Sequence, residues 1–143
     1  MAFTKVWIHA VWGTKNRFPF LTKEVKSKVI NHILQNAKTK GIYIKSINGH
    51  TEHLHCLFGL NTDSSIAKTI QLIKGESAFW INKQGLTKTK FDWAHEYYAG
   101  SISESHVPRV SAYIKNQEEH HSKTDFIEEY NNLINQSVLY IQG

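Results

Sequence analysis

Two histidines, His53 and His55, stand two apart in the run TEHLHCLFGL at 51–60. Side chains alternate across an extended strand, so both imidazoles share one face, with their Cα atoms about 6.5–7 Å apart. Two imidazoles at that spacing can share one metal ion. Leu54, Cys56 and Phe58 take the opposite face and form an apolar ladder suited to a core. The same parity sets Cys56 apart from the histidine pair. The chain holds nine histidines, so a bare His-x-His also arises by chance, and the pair needs support from elsewhere. A competing zinc hydrolase reading adds His50 to the pair. It puts His50 in or near the turn at Gly49, off the face that the strand pair shares.

The support comes from SHVPRVSAYIKNQEEHHSK, 105–123. Helical spacing puts Val107, Val110 and Ile114 on one face. Tyr113, Gln117 and His120 follow at i, i+4 and i+7 on an adjoining stripe. A phenol and an amide oxygen therefore emerge one turn apart. That stripe can hold a nucleophile and a third metal ligand together. Glutamine is a weak, neutral ligand, which suits a hard ion that keeps open positions, Mg²⁺ or Mn²⁺. The plainer alternative is an amphipathic helix with a half-buried tyrosine.

These residues need elements to position them. Residues 4–12 are β-branched and aromatic and read as a first strand. A basic loop, GTKNRFPF, follows. Thr22 caps a helix over 23–40 with Glu24 in its first turn, and Gly41 ends it. Residues 42–48 alternate as a second strand, and 51–60 return as a third, making a hairpin. Asp63 or Ser64 caps a helix to about Asn82, with a stripe of Ile66, Ile70, Ile73 and Trp80. A fourth strand spans 93–102. The helix with Tyr113 runs from about 106 to 122, with Pro108 in its first turn. Asp125 and Glu128 have capping-box spacing for a last short helix, lined by Phe126, Tyr130, Leu133 and Ile134. The order βαββαβ plus two helices predicts an α+β, ferredoxin-like fold. It has a four-stranded antiparallel sheet, both crossover helices on one face, and the other face open for the extra helix or a ligand. The whole chain, 1–143, reads as one domain.

Basic residues outnumber acidic ones, 17 to 12, giving a formal charge of +5 that favours an anionic partner such as nucleic acid. A lone cysteine excludes an internal disulfide framework and suits a reducing cytoplasm. The N-terminus lacks the layout of a signal peptide, and no apolar run is long enough to cross a membrane.

The motifs H53-L54-H55 and Y113-I-K-N-Q117 together resemble the HUH-class single-tyrosine transposases of small insertion sequences, including their REP-associated relatives. The runs YIKNQEEHH (113–121), SISES (101–105) and IKGESAFWIN (73–82) carry the resemblance further, and it covers nearly the whole chain. It implies a ferredoxin-like fold acting on single-stranded DNA, often recognised through hairpin ends. It implies His53, His55 and Gln117 as metal ligands, Tyr113 as nucleophile, and a homodimer in which one subunit's tyrosine helix can complete the other's site. Attack of Tyr113 on phosphorus would expel a 3′-hydroxyl and leave a 5′-phosphotyrosine, which a second 3′-hydroxyl can reverse. No nucleotide is then needed, in keeping with the absence of a GxxxxGK[ST] loop. Lys15, Arg17, Lys68, Lys74 and His120 are candidate DNA contacts. Trp7, Trp12 and Trp93 either stack bases or fill the core. His9 shares a face with Trp7 and receives no role. The alternative within the family is a domesticated hairpin-binding or REP-associated protein that no longer mobilises an element.

Overall fold

The computed structural model describes residues 3–117 and 125–135. Strand β1 (Trp7–Gly13) leads through a short 3-10 turn (Lys15–Arg17) to helix α1 (Lys23–Thr39). Strands β2 (Tyr43–His50) and β3 (His53–Gly59) form the hairpin. Helix α2 (Ile66–Gln84) and strand β4 (Tyr98–Ile102) complete the βαββαβ unit. A second 3-10 turn (Glu104–His106) opens helix α3 (Val107–Lys115), and helix α4 (Phe126–Asn135) follows. The sheet order is β2-β3-β1-β4 with every pair antiparallel, the ferredoxin-like arrangement expected.

Local chemistry accounts for the ends of the elements. Thr22 Oγ1 accepts from Val25 N and starts α1. Gly41, at φ 70°, takes the left-handed turn that ends it. The cap of α2 is Ser65, which accepts from Lys68 N at 3.0 Å, rather than Asp63 or Ser64. The Ser64 hydroxyl is instead engaged with Thr69 Oγ1. Ile81 takes the buried place on α2 expected of Trp80, which lies half-buried against the His32 ring. The fourth strand is shorter than its residue types suggest and begins at Tyr98. Upstream, the Lys74 ammonium holds the carbonyls of Ala94 and His95, and Trp93 turns inward to donate to Ser77. Those carbonyls are therefore drawn toward α2, and Trp93 keeps only a single bridge to Thr14. Asp125 Oδ1 accepts from Glu128 N, the cap expected for α4. The tyrosine helix stops at Lys115, short of the expected 122, because Asn116 leaves helical geometry at φ −98° and ψ 27° and caps it; residues 118–122 lie outside the described residues.

The two sheet faces divide the molecule. Ile8, Ala10, Trp12, Leu54, Cys56 and Phe58 point to α1 and α2 and form the larger core. On the other face, Val11 and Leu57 pack beneath Val107, Val110 and Ile114 of α3 and Phe126 and Leu133 of α4. The face left open by the βαββαβ unit is thus covered by α3 and α4. At the hairpin the backbones approach so closely that a Cβ on Gly49 would lie 2.0 Å from His53 O. Glycine is required there, one register step from the site.

Candidate active site

His53 and His55 lie on β3 on the face that α3 and α4 cover, and both are fully buried. Gln117, just past α3, is buried over them, and its Oε1 accepts from His53 Nε2 at 3.2 Å. The predicted histidine pair and glutamine are therefore brought together. Tyr113, half-buried on α3, lies edge to face with the His55 ring, the ring centres 5.5 Å apart. A fourth group was missed from the sequence. Glu129 of α4 is fully buried, with Oε1 3.3 Å from His53 Nε2 and 3.1 Å from His55 Nε2. Its other oxygen accepts from the Tyr113 hydroxyl and, at 3.5 Å, from Gln117 Nε2. One carboxylate thus joins the histidine pair to the phenol. A signal for it existed in the sequence: Phe126, Glu129 and Leu133 fall at i, i+3 and i+7, a single acid within the buried stripe of α4.

Packing fixes each ring. Phe126 stacks on His53 at 4.1 Å and 3°. His53 Nδ1 donates to Glu52 Oε1 at 2.8 Å, which leaves Nε2 facing Glu129. His55 Nδ1 lies 2.8 Å from Nε2 of His9, which is also fully buried. His9 stands on β1 on the same sheet face, two residues before Val11, the register partner of His55.

The titrations follow from this enclosure. Burial alone would lower the pKa of His53, but its hydrogen bonds to Glu129 and Glu52, together with their negative charges, outweigh burial and raise it. Burial, then the neighbouring His55, depress the pKa of His9 well below the ordinary histidine value, against a smaller opposing pull from Glu129. Tyr113 is pushed far above the ordinary tyrosine value, first by burial and then by the negative charge of Glu129. Cys56, on the opposite face, is raised to about 12 by burial and stays a core thiol.

His53, His55 and Glu129 each offer a donor atom, all within 4.8 Å of one another. Two imidazoles and a carboxylate form a donor set that fits a divalent ion, with the amide oxygen of Gln117 at its edge. Among the described residues this is the group of His, Cys, Asp and Glu side chains that can hold a metal. His50 is not part of it. Contrary to the expectation, His50 pairs directly with His53 and shares its face, yet its ring is turned to Thr51 and Glu52.

The basic candidates separate. Arg17 lines a small cleft with Phe126 and Tyr130, at the rim of the site, and Lys15 is exposed in the same 3-10 turn. Lys68 and Lys74 lie on α2, across the sheet from the histidines, and Lys74 is occupied by backbone carbonyls. His120 lies outside the described residues. Of the tryptophans, Trp12 and Trp93 are core residues, crossing edge to face at 6.1 Å.

Residues 2–117 match the family model described as IS200-like transposase. The chain belongs to the IS200-like transposase family. Among solved structures, a Deinococcus radiodurans R1 protein described as a transposase is similar over 81% of this chain and 93% of its own, with 23% identity and a TM-score of 0.66. A REP-associated tyrosine transposase bound to a REP hairpin is similar over 87% of this chain and 73% of its own, with 18% identity and a TM-score of 0.61. At such identities both bear on the fold of this transposase, which they share. No curated protein matches the chain. Among the described residues, no helix of the transposase is long and apolar enough to cross a membrane.

Proposed function

We propose that this transposase cleaves and rejoins single-stranded DNA, through a covalent bond between Tyr113 and a 5′-phosphate. One observation carries the reading. The Tyr113 hydroxyl is hydrogen-bonded to the same buried carboxylate that faces both His53 Nε2 and His55 Nε2. Nucleophile and candidate metal donors thus form one cluster within a single chain, which favours a site completed in cis.

His53, His55 and Glu129 would hold Mg²⁺ or Mn²⁺, with Gln117 beside them. When bound, such an ion would polarise the scissile phosphate and offset its charge. The protein's own groups supply the rest. A free tyrosine has a pKa of ~10, so only about 0.1% is phenolate at pH 7, and here burial and Glu129 make the phenolate scarcer still. The phenol must therefore lose its proton as it attacks. Its hydrogen bond already points to Glu129 Oε2, and we assign that oxygen as the acceptor. The Tyr113 oxygen bonds to phosphorus, the bond from phosphorus to the 3′-oxygen breaks, and the departing 3′-oxygen takes up a proton. Rejoining runs the same steps backward with the 3′-hydroxyl of another strand, so the phosphodiester energy is kept.

Arg17, in the cleft beside Phe126, and Lys15, exposed in the same turn, are the phosphate contacts that this reading favours. Lys68, Lys74 and His120 enter it only as more distant contacts. The substrate is single-stranded DNA with hairpin ends, the kind of element seen on the REP-associated structural neighbour. In this reading the whole chain is one catalytic domain and works as a homodimer.

The test incubates the protein with labelled single-stranded DNA carrying hairpin ends, plus Mg²⁺ or Mn²⁺. A denaturant-resistant protein–DNA adduct is expected, lost in Tyr113→Phe and on chelation. An adduct that persists in Tyr113→Phe removes the nucleophile assignment. One that ignores both His53→Ala and chelation removes the metal.

A further inference from the structure

Each histidine of the site has a partner on its inner nitrogen. For His53 it is the carboxylate of Glu52, exposed enough to be an ordinary acceptor. For His55 it is His9, another imidazole with no solvent exposure, 2.8 Å away and stacked at 5.1 Å and 17°. Burying two imidazoles against each other is unfavourable compared with an apolar pair of the same size. Val11 and Leu57, their neighbours on the same face, show that apolar residues pack there. The His9–His55 pair therefore calls for an explanation beyond filling space.

The polarity of its hydrogen bond supplies one. A neutral imidazole carries a single N–H. If His9 Nε2 donates to His55 Nδ1, the His55 proton sits on Nε2, the nitrogen that faces Glu129, and that nitrogen has no lone pair for an ion. If His9 Nε2 accepts, His55 carries its proton on Nδ1 and presents a bare Nε2 to Glu129 and the site. Only the second arrangement is competent, and only a group with a lone pair at the position of His9 Nε2 can enforce it.

We propose that His9 is the positioning residue that fixes the tautomer and ring orientation of His55, leaving Nε2 free to hold the divalent ion. This rests on the metal site proposed above. Fixing a ligand histidine through its second nitrogen commonly contributes ten- to a hundredfold in metal affinity. His9 thus does for His55 what Glu52 does for His53, with a neutral acceptor in place of a charged one.

The experiment titrates Mn²⁺ calorimetrically into wild type, His9→Phe and His9→Gln, with thermal melts to establish folding. It adds imidazole ¹⁵N shifts of wild type loaded with diamagnetic Zn²⁺. His9→Phe should fold and lose about ten- to a hundredfold in affinity. His9→Gln, whose amide oxygen can accept in place of Nε2, should stay within about threefold of wild type. The loaded wild type should show the His55 proton on Nδ1. The proposal is overturned by a folded His9→Phe that binds like wild type, by His9→Gln as weak as His9→Phe, or by a His55 proton on Nε2. Should His9→Phe fail to fold, His9→Gln and the His55 shifts decide. Wild type without saturable Mn²⁺ binding overturns the metal site itself, and this proposal with it.

Discussion

Replacing Phe126 with alanine tests how α4 is held over the site. Phe126 is 7% exposed, stacked on His53 at 4.1 Å and set edge-on to Tyr130 at 5.7 Å. Burial of its ring contributes about 2–3 kcal/mol, and the ring contacts about 0.5–1 kcal/mol more. The sum, about 3 kcal/mol, sits at the low end for a buried Phe→Ala change. After the change, α4 keeps only Leu133 as a buried apolar anchor, with half-buried Tyr130 beside it. With the polar contacts of Glu129 as the other tie, ten residues of helix are then held much less firmly. The loss therefore falls on α4 rather than on the sheet. At 1.4 kcal/mol per tenfold, the open population of α4 should rise roughly a hundredfold. Native-state hydrogen exchange reads this directly. Amides of α4 should exchange about a hundred times faster, while β1 and β3 amides keep their protection. Equal acceleration of α4 and the strands would refute the reasoning, because α4 would then not be a separable unit. Unchanged exchange in α4 would show that Phe126 does not anchor it.

Three other outcomes follow from the same geometry. Glu129→Gln removes the charge that helps hold the Tyr113 proton, so Tyr113 should titrate at lower pH than in wild type but, still buried, above ordinary tyrosine; ultraviolet titration against Tyr113→Phe isolates it. The raised pKa of His53 gives stability that is present below the unfolded value of 6.5 and lost as pH rises through the folded pKa, whereas the depressed pKa of His9 makes stability fall as pH drops below 6.5. Urea melts across that range should show the acid-side gain vanish in His53→Gln and the acid-side loss vanish in His9→Phe. Gly49→Ala drives a Cβ to 2.0 Å from a backbone oxygen and should lower stability by more than ~3 kcal/mol, whereas Gly75→Ala, with nothing within 4 Å, should raise it by about 0.5–1 kcal/mol; denaturant melts of the pair check the contrast.

Much of this was readable from residue types and spacing. Strand parity placed His53 and His55 on one face and Leu54, Cys56 and Phe58 on the other, as found. Helical spacing put Tyr113 and Gln117 one turn apart, and Gln117 does reach back to donate to Tyr113 O, although α3 itself stops at Lys115. What periodicity cannot express is register between distant strands. His9 reaches His55 only because β1 pairs with β3 in one alignment, and a one-residue slip would turn every side chain to the other face. Glu129 escaped for a related reason. An acid on an amphipathic helix reads as solvated unless its burial is known, and its burial depends on α4 lying over the sheet. The shortened fourth strand reflects side-chain capture of carbonyls by Lys74, a tertiary contact that residue preferences do not contain.

The complete burial of His53, His55, Gln117 and Glu129 beneath α3 and α4 bears on how fast the site can load and empty. An ion and a phosphate can reach those groups only while α4 stands away from the sheet. Because α4 must close again for Glu129 to hold the ion and take the proton, its opening gates the rates of entry and release alike and leaves the equilibrium constant unchanged. If α4 is open about 1% of the time, loading and release would each run about a hundredfold slower than at a permanently open site. Tightening the packing of α4 would therefore slow both without altering a single DNA contact. Loosening it would do the reverse, until Glu129 no longer returned in time to take the proton from Tyr113.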